Sequence, residues 1–191
     1  MKKKALAQIG FEFVSIVFAV LLALGLNSYK QTNDLENEGK VLRTKILKEC
    51  QRNSIELDSV LIINKTYFKK LDSLNQYENL LSDHLEISIE NELLTRSAWD
   101  FTKASRSFSF IDEDFLSDAA ILYEKQTYYM SISNQMFENI GDMLLSDPDM
   151  KKVVKLIHYY LSNLNSAADD LQTTYTGFLA KYDSGSKADN D

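Results

Sequence analysis

The chain has 191 residues, a formal net charge of −7 and 45% hydrophobic residues, enough for one medium-sized domain with an appendage but not for two large domains. One proline and six glycines are too few for the turns of a sandwich or barrel, so we expect an all-α fold. A single cysteine and two histidines exclude an internal disulfide and argue against a metal centre, and we expect no cofactor.

The beginning of the chain has a composition of its own. Three lysines precede an apolar run from Ile9 to Leu26, and Tyr29 follows it. Eighteen helical residues rise about 27 Å, close to the bilayer's apolar thickness of about 30 Å, and tyrosine suits the interface. The sequence therefore predicts a cytoplasmic stretch over 1–8 and a single transmembrane helix over 9–29, with the lipid bilayer as a partner.

The distribution of charge sets the orientation of this helix. Because the lysines precede it and acidic residues soon follow it, the N-terminus should stay in the cytoplasm. Removing Lys2, Lys3, Lys4 and Glu12 from the totals of 21 and 28 leaves 18 basic and 27 acidic residues, a net charge of −9. Nucleic acid is a poor partner for that surface. The predicted location is the inner (cytoplasmic) membrane, with the bulk of the chain in the periplasm.

A cleaved signal peptide is the alternative interpretation of this segment. Val14 to Leu26 has the length of an h-region, and Ala23-Leu24-Gly25 offers a small-residue cleavage site. The nearly full bilayer length favours a retained anchor. Glu12 favours it too, since it lies near the cytoplasmic end, where its carboxylate reaches the head groups. Small residues in the run would let a second copy approach in lipid, and they are Gly10, Ala19, Ala23 and Gly25.

Residues 12–29 resemble the opening of an uncharacterised family of small, single-pass helical membrane proteins of Gram-negative bacteria. The positions in register with that family are Glu12, Ala23, Leu24 and Asn27. Ala19 and Tyr29 stand where the family tends to have Gly and Trp. Ala98-Trp99 followed by Lys103-Ala104-Ser105 resembles its second feature, a Trp-centred short helix. The resemblance implies a membrane-anchored helical domain of unknown function and offers no catalytic residues.

Two helices are predicted directly after the span. The first covers about 50 residues from Asn33 to Leu81 and could continue the membrane helix, since its apolar residues lie within about 60° of one direction. That stripe comprises Leu35, Leu42, Ile46, Cys50, Leu57, Val60, Phe68 and Leu71. A break at Ser82-Asp83-His84 precedes a shorter helix near Glu90–Ser105. The residues that we expect it to bury are Leu94, Ala98, Trp99 and Phe101.

The rest of the chain predicts a helical hairpin. One helix begins beside Asp112, with a seam of Phe115, Ala119, Leu122, Gln126, Tyr129, Ser133, Met136, Ile140 and Met143. The next begins at Asp147-Pro148, with a seam of Met150, Val154, Ile157, Leu161, Leu164, Ala168, Leu171, Tyr175, Phe178 and Tyr182. The short link makes these two helices, of about 33 residues each, antiparallel. Residues 30–182 should form an elongated, irregular four-helix bundle with the short helix over one end, and 183–191 a disordered tail.

Several polar and aromatic residues suggest candidate sites. Cys50 lies on the apolar stripe and should be a buried thiol, while His84 and His158 lack companions at ligand spacing. Four residues near the seams either fix helix register or line a polar pocket, and they are Asn53, Asn64, Gln126 and Ser133. Four tyrosines could face each other across the hairpin, namely Tyr128, Tyr129, Tyr159 and Tyr160. The densest basic group is a candidate contact for an anion or an acidic partner, or a solvated face, and comprises Arg96, Lys103 and Arg106 beside Trp99.

No nucleophile–base arrangement, phosphate loop or HExxH motif occurs in the sequence. We therefore expect no catalytic activity. The leading hypothesis is an anchored interaction or scaffold protein with a protein partner in the bacterial envelope, and self-association is compatible with it. The alternative is an extracytoplasmic sensory or ligand-binding bundle that works through a partner.

Overall fold

The computed structural model describes the backbone of residues 2–76, 94–146 and 150–183, and the side chains of residues 13, 15–73, 94–146 and 151–183. These parts of the chain are all-α, as predicted. They comprise α1 (Lys2–Gln76), α2 (Ser97–Ala104), a 3₁₀ helix (Arg106–Phe110), α3 (Glu113–Ser146) and α4 (Met150–Tyr182).

The first helix is continuous for 75 residues, which corresponds to about 112 Å. The predicted continuity between the apolar run and the first bundle helix is therefore confirmed. Residues 15–34 are exposed, and burial begins at Leu35. From there one stripe faces the bundle: Leu35 and Phe68 are half-buried, and the other predicted stripe residues are buried.

No helix with both the length and the apolar character needed to cross a bilayer was found in the part of the chain that the structure describes. The predicted span at 9–29 lies partly outside the described side chains, which omit residues 9–12 and 14. The predicted break at 82–84, the start of the last helix at Asp147-Pro148, and the tail beyond Asp183 also lie outside the described residues.

The predicted hairpin is confirmed in its two helices, which have 34 and 33 residues. Asp112 caps α3, because its Oδ1 accepts a hydrogen bond from the N–H of Phe115 at 2.9 Å. The two helices are antiparallel: side-chain contacts pair Asp118 with Lys181, Lys125 with Asp170, and Asn139 with Tyr160. All seam residues of α4 with described side chains are buried.

The fourth helix packs against both α1 and α3. Arg43 of α1 lies over the rings of Phe115 and Tyr182 at one end, and Asp72 approaches His158 towards the other. Helices α1 and α3 therefore run in the same direction, with α4 opposed to both. Long helices packed in this way bury a continuous apolar seam.

The short helix lies alongside α1 instead of covering an end of the bundle. Contacts with α1 run backwards along the chain, from Thr95 at Asn53, through Ser97 at Glu49, to Ser107 at Glu38. Towards α3, the ring of Trp99 stacks on that of Tyr123. Residues 94–110 therefore fill the groove between α1 and α3.

The prediction that Phe101 is buried is wrong. Leu94 and Trp99 are buried and Ala98 is half-buried, but Phe101 is 58% exposed. Residues 99 and 101 of a helix point about 200° apart, so only one of them can face a single surface. Trp99 and Thr102 take the inner face of α2, which leaves Phe101 on the outside.

Candidate functional site

A buried carboxylate joins α1, α2 and α3. Glu49 is 5% exposed and accepts three hydrogen bonds, from the Tyr123 hydroxyl at 2.6 Å, the Ser97 hydroxyl at 2.9 Å and the Ala98 N–H at 2.9 Å. The residue before α2, Arg96, makes no capping bond with its own side chain. Glu49 therefore caps α2 from another helix, and its negative charge lies at the positive end of the α2 dipole.

A second polar junction lies one turn further along α1. Asn53 forms two hydrogen bonds with the backbone of Thr95: its Nδ2 donates to the carbonyl oxygen at 2.6 Å, and its Oδ1 accepts from the N–H at 3.1 Å. Gln126 Nε2 donates to the same carbonyl at 3.1 Å, and its Oε1 accepts from the Tyr175 hydroxyl at 2.8 Å. Asn53 and Gln126 thus connect the three long helices to the segment before α2. These contacts support the register interpretation for both residues.

The register interpretation does not extend to Ser133. This residue is fully buried, yet its Oγ has no hydrogen-bond partner among the residues that the structure describes. Asn64 is also buried.

Titratable groups in this region are protected from solvent. Burial raises the pKa of the Cys50 thiol to about 12, and burial also raises the pKa of Tyr123 and of Tyr175. Cys50 is fully buried, with its Sγ 3.8 Å from the Tyr123 hydroxyl. At neutral pH the thiol is therefore protonated and a weak nucleophile, as expected for a structural cysteine.

The predicted basic group is partly balanced by an acid. Arg96 Nε lies 3.0 Å and Lys103 Nζ 2.9 Å from the carboxylate of Asp100. Hydrogen bonds from Lys103 and Arg96 lower the pKa of Asp100, which keeps this carboxylate charged. Trp99 is 6% exposed and belongs to the core. Only Arg106 stands apart, beside a shallow hollow that Phe101 also borders.

A different basic surface, which was not predicted from the sequence, lies between α1 and α2. We call it the basic groove: it has a volume of about 380 Å³, and its walls include Lys45, Lys48 and Arg52 on α1 and Ser97, Ala98 and Phe101 on α2. The three cations follow i, i+3, i+7 spacing, which places them on one helix face. That spacing is the signal in the sequence that could have revealed them.

The four tyrosines that were predicted to face each other across the hairpin do not all lie on one surface. Tyr128, Tyr159 and Tyr160 line a cleft of about 650 Å³ between α3 and α4, whereas Tyr129 is 1% exposed and points into the core. We call this the tyrosine cleft. Its other polar side chains are Ser131, Gln135, Asn163, Ser166 and Asp170, and Asp170 pairs with Lys125 at 2.8 Å. Its uncompensated polar groups are therefore neutral.

The histidines do not form a metal site in the described parts of the chain. His158 stacks on Phe68 with ring centroids 4.6 Å apart, and His84 lies outside those parts. Among the residues described, no three His, Cys, Asp or Glu side chains are grouped to hold a metal ion.

The fold and its surfaces define a helical bundle carried on one long helix. No protein family, curated protein or solved structure matches this chain.

Proposed function

We propose that this protein is a single-pass, membrane-anchored interaction protein that carries a helical bundle on the periplasmic side of the inner membrane. In this proposal the apolar run of α1 is the anchor, the N-terminus is cytoplasmic, and the bundle presents surfaces to an envelope protein. The resemblance of residues 12–29 to an uncharacterised family of small, single-pass helical membrane proteins agrees with it.

The observation that carries the proposal is the change in burial along α1. Nine large aliphatic or phenylalanine side chains between Phe13 and Leu26 are at least 40% exposed. Three of them, Ile16, Val17 and Phe18, are consecutive and so cannot all lie on one face of the helix. A helix that is apolar all round is stable only when its whole circumference is buried, in a core or in lipid.

Lipid is the simplest way to cover this segment. Each large apolar residue favours the centre of a bilayer by about 0.3–0.6 kcal/mol, so nine contribute on the order of 4 kcal/mol. From Leu35 onwards the helix has one buried stripe, which is the pattern of a helix in water. The same continuous helix thus changes its solvent near Tyr29.

Extraction of cell membranes with alkaline carbonate tests the anchor. The wild-type chain should stay in the pellet, and Leu21→Arg should release it, because a central arginine costs roughly 2.5–3.5 kcal/mol. Ile55→Arg is the matched control, since Ile55 is 70% and Leu21 61% exposed on the same helix, and this variant should stay in the pellet. Release of the wild-type chain would refute the anchor.

Cysteine labelling tests the orientation. Thr66 is exposed, so Thr66→Cys should react with a membrane-impermeant maleimide in intact spheroplasts, whereas Lys2→Cys should react only after lysis. Background from Cys50 should be low, because this thiol is buried and has a raised pKa. The opposite labelling pattern would place the bundle in the cytoplasm.

A ligand-binding bundle is the second candidate, and the tyrosine cleft favours it. The cleft volume of about 650 Å³ lies within the range of small-molecule sites, about 300–1,000 Å³. Tyr128 and Tyr159 are 63% and 59% exposed, so they could stack on a neutral, hydroxyl-rich ligand. Saturation-transfer NMR with neutral oligosaccharides should show contact with the wild-type chain and loss of contact in Tyr159→Ala, with Phe101→Ala as the control. No transfer to any of these sugars would remove the support for this candidate.

A further inference from the structure

The ring of Phe101 is exposed and lies beside the cations of the basic groove. Phe101 is 58% exposed in the middle of the short α2, and Lys45 Nζ lies 5.6 Å from its ring centroid. A large aromatic side chain held on a surface among cations is typical of contact surfaces, where aromatic residues are enriched.

The cations of the basic groove are largely uncompensated. Among the described residues, Lys45 and Lys48 form no ion pair. Arg52 lies 3.8 Å from Glu56 and donates a hydrogen bond to the hydroxyl of Thr95. The carboxylate that lines the groove, Glu49, is already occupied by three donors. The groove is therefore a local excess of positive charge in a region whose net charge is −9.

The shape of the surface favours an extended ligand. Phe101 borders the basic groove on one side and a second hollow of about 280 Å³ on the other. Arg106 and Glu38 line that second hollow, and the Glu38 carboxylate already accepts hydrogen bonds from the hydroxyls of Ser105 and Ser107. A cation is therefore present on each side of the ring. An inorganic anion would use one hollow and leave the phenyl ring uncovered, whereas a chain crossing Phe101 would cover the ring and meet both basic groups.

From these observations we infer that the groove between α1 and α2 binds an acidic, extended polypeptide segment of the partner protein. An apolar side chain of that segment packs on Phe101, and its carboxylates approach Lys45 and Lys48 on one side and Arg106 on the other. This inference rests on the proposed function, because it specifies the partner of an interaction protein.

Anionic lipid is the competing source of negative charge. The distance between the membrane surface and the basic groove argues against lipid. Lys45 follows Tyr29 by 16 residues on one continuous helix, which is about 24 Å along the axis. The Debye length at physiological salt is about 8 Å. With Tyr29 at the membrane surface, the head groups are thus beyond the electrostatic reach of the groove.

Fluorescence anisotropy with defined peptides tests the inference. The full chain is reconstituted in phosphatidylcholine nanodiscs and titrated with three labelled peptides, built of Glu and Leu, of Glu alone, and of Lys and Leu. The Glu–Leu peptide should bind, more weakly at higher salt, and the Lys–Leu peptide should not. Lys48→Glu should weaken binding about tenfold, as charge reversal at an interface does. Lys69→Glu, an exposed reversal elsewhere on α1, should leave it unchanged.

Phe101→Ala separates the contribution of the ring from that of the charges. This variant should weaken binding of the Glu–Leu peptide and leave any binding of the Glu peptide unchanged.

The inference is overturned if the Glu–Leu peptide does not bind, or if Lys69→Glu weakens its binding as much as Lys48→Glu does. It is also overturned if phosphatidylglycerol in the discs displaces the peptide. Circular dichroism verifies that each variant is folded. The same titration in detergent does not depend on the anchor, so release of the chain by carbonate would refute the anchor and leave this result interpretable.

Discussion

The hydroxyl of Tyr123 on α3 donates a 2.6 Å hydrogen bond to Oε1 of Glu49 on α1. The other oxygen of that carboxylate holds the start of α2. One side chain therefore fixes the relative positions of three helices. Since α2 has only eight residues and cannot be stable alone, the basic groove depends on this carboxylate for its geometry.

Glu49→Leu should destabilise the chain by roughly 3 kcal/mol, because it leaves the buried Tyr123 hydroxyl and the start of α2 without an acceptor. Glu49→Gln keeps one acceptor oxygen but loses the charge, and should cost about 1–2 kcal/mol. Urea unfolding of the full chain in detergent, followed by circular dichroism, measures both. Glu56→Leu, on the same helix but half-buried, is the control and should cost less than about 1 kcal/mol. Equal effects at both positions would contradict the capping role.

Gln126 and Tyr175 should be energetically coupled. Gln126→Leu removes the acceptor of the Tyr175 hydroxyl and a donor to Thr95, so we expect a loss of roughly 2–3 kcal/mol. Tyr175→Phe should cost about 1 kcal/mol. The double variant should lose less than the sum of the two by about 0.5–3 kcal/mol. Strict additivity in a double-mutant cycle would show that the hydrogen bond contributes nothing.

The long helices could be predicted because their information is local and periodic. Along α4 every described seam residue is buried, from Val154 to Tyr182. A repeat of apolar residues sustained over many turns has one stable solution, a helix packed against long neighbours. Asp112 was predictable as a cap for the same reason, since a cap and the turn it serves are adjacent in sequence.

The candidate site was harder to predict because its contacts are remote in sequence. Glu49 caps a helix that begins 48 residues later, and no local pattern announces such a pairing. The group beside Trp99 was predicted from proximity in sequence, but Asp100 lies among these residues and forms ion pairs with two of them. The basic groove is formed by residues of α1 and α2. Only its α1 residues, Lys45, Lys48 and Arg52, show a helical spacing in the sequence.

Stability should fall at alkaline pH, in part because of Cys50. Its pKa is raised from 9.0 to about 12 in the fold, so between these values the unfolded chain has lost the thiol proton while the folded chain retains it. The contribution of the thiol to the free energy of unfolding is fully present below pH 9.0. It is lost as pH rises, and the free energy of unfolding then falls by about 1.4 kcal/mol per pH unit. Tyr123 and Tyr175 also have raised pKa values in the fold, and the ordinary pKa of tyrosine is 10.0. Above pH 10.0 they therefore make the free energy of unfolding fall more steeply.

Cys50→Ala isolates the thiol in this prediction. The variant is less stable at neutral pH because it leaves a small cavity, but its free energy of unfolding should decline less steeply between pH 9 and 10 than that of the wild type. Urea unfolding at several pH values measures the difference in slope. Parallel curves for the two chains would show that the thiol does not titrate differently in the folded and unfolded states.

Gly39 sets how closely the 3₁₀ helix approaches α1. A Cβ at this position would lie 3.4 Å from Ile111 Cγ1 and from the carbonyl oxygens of Phe110 and Ser107. That distance is ordinary contact, so Gly39→Ala should be tolerated and should stabilise the helix by up to about 1 kcal/mol. Gly39→Leu has no space for its further carbons and should cost roughly 1–3 kcal/mol.

The same pair of variants links this contact to the hollow beside Arg106. In Gly39→Leu the 3₁₀ helix has to move away from α1, which breaks the 2.7 Å hydrogen bond from the Ser107 hydroxyl to Glu38. Amide hydrogen exchange should then increase at residues 106–110 and stay unchanged in α4, while Gly39→Ala should exchange like the wild type. Uniform acceleration across all helices in Gly39→Leu would instead indicate global destabilisation, because a displaced 3₁₀ helix opens only the segment that it holds.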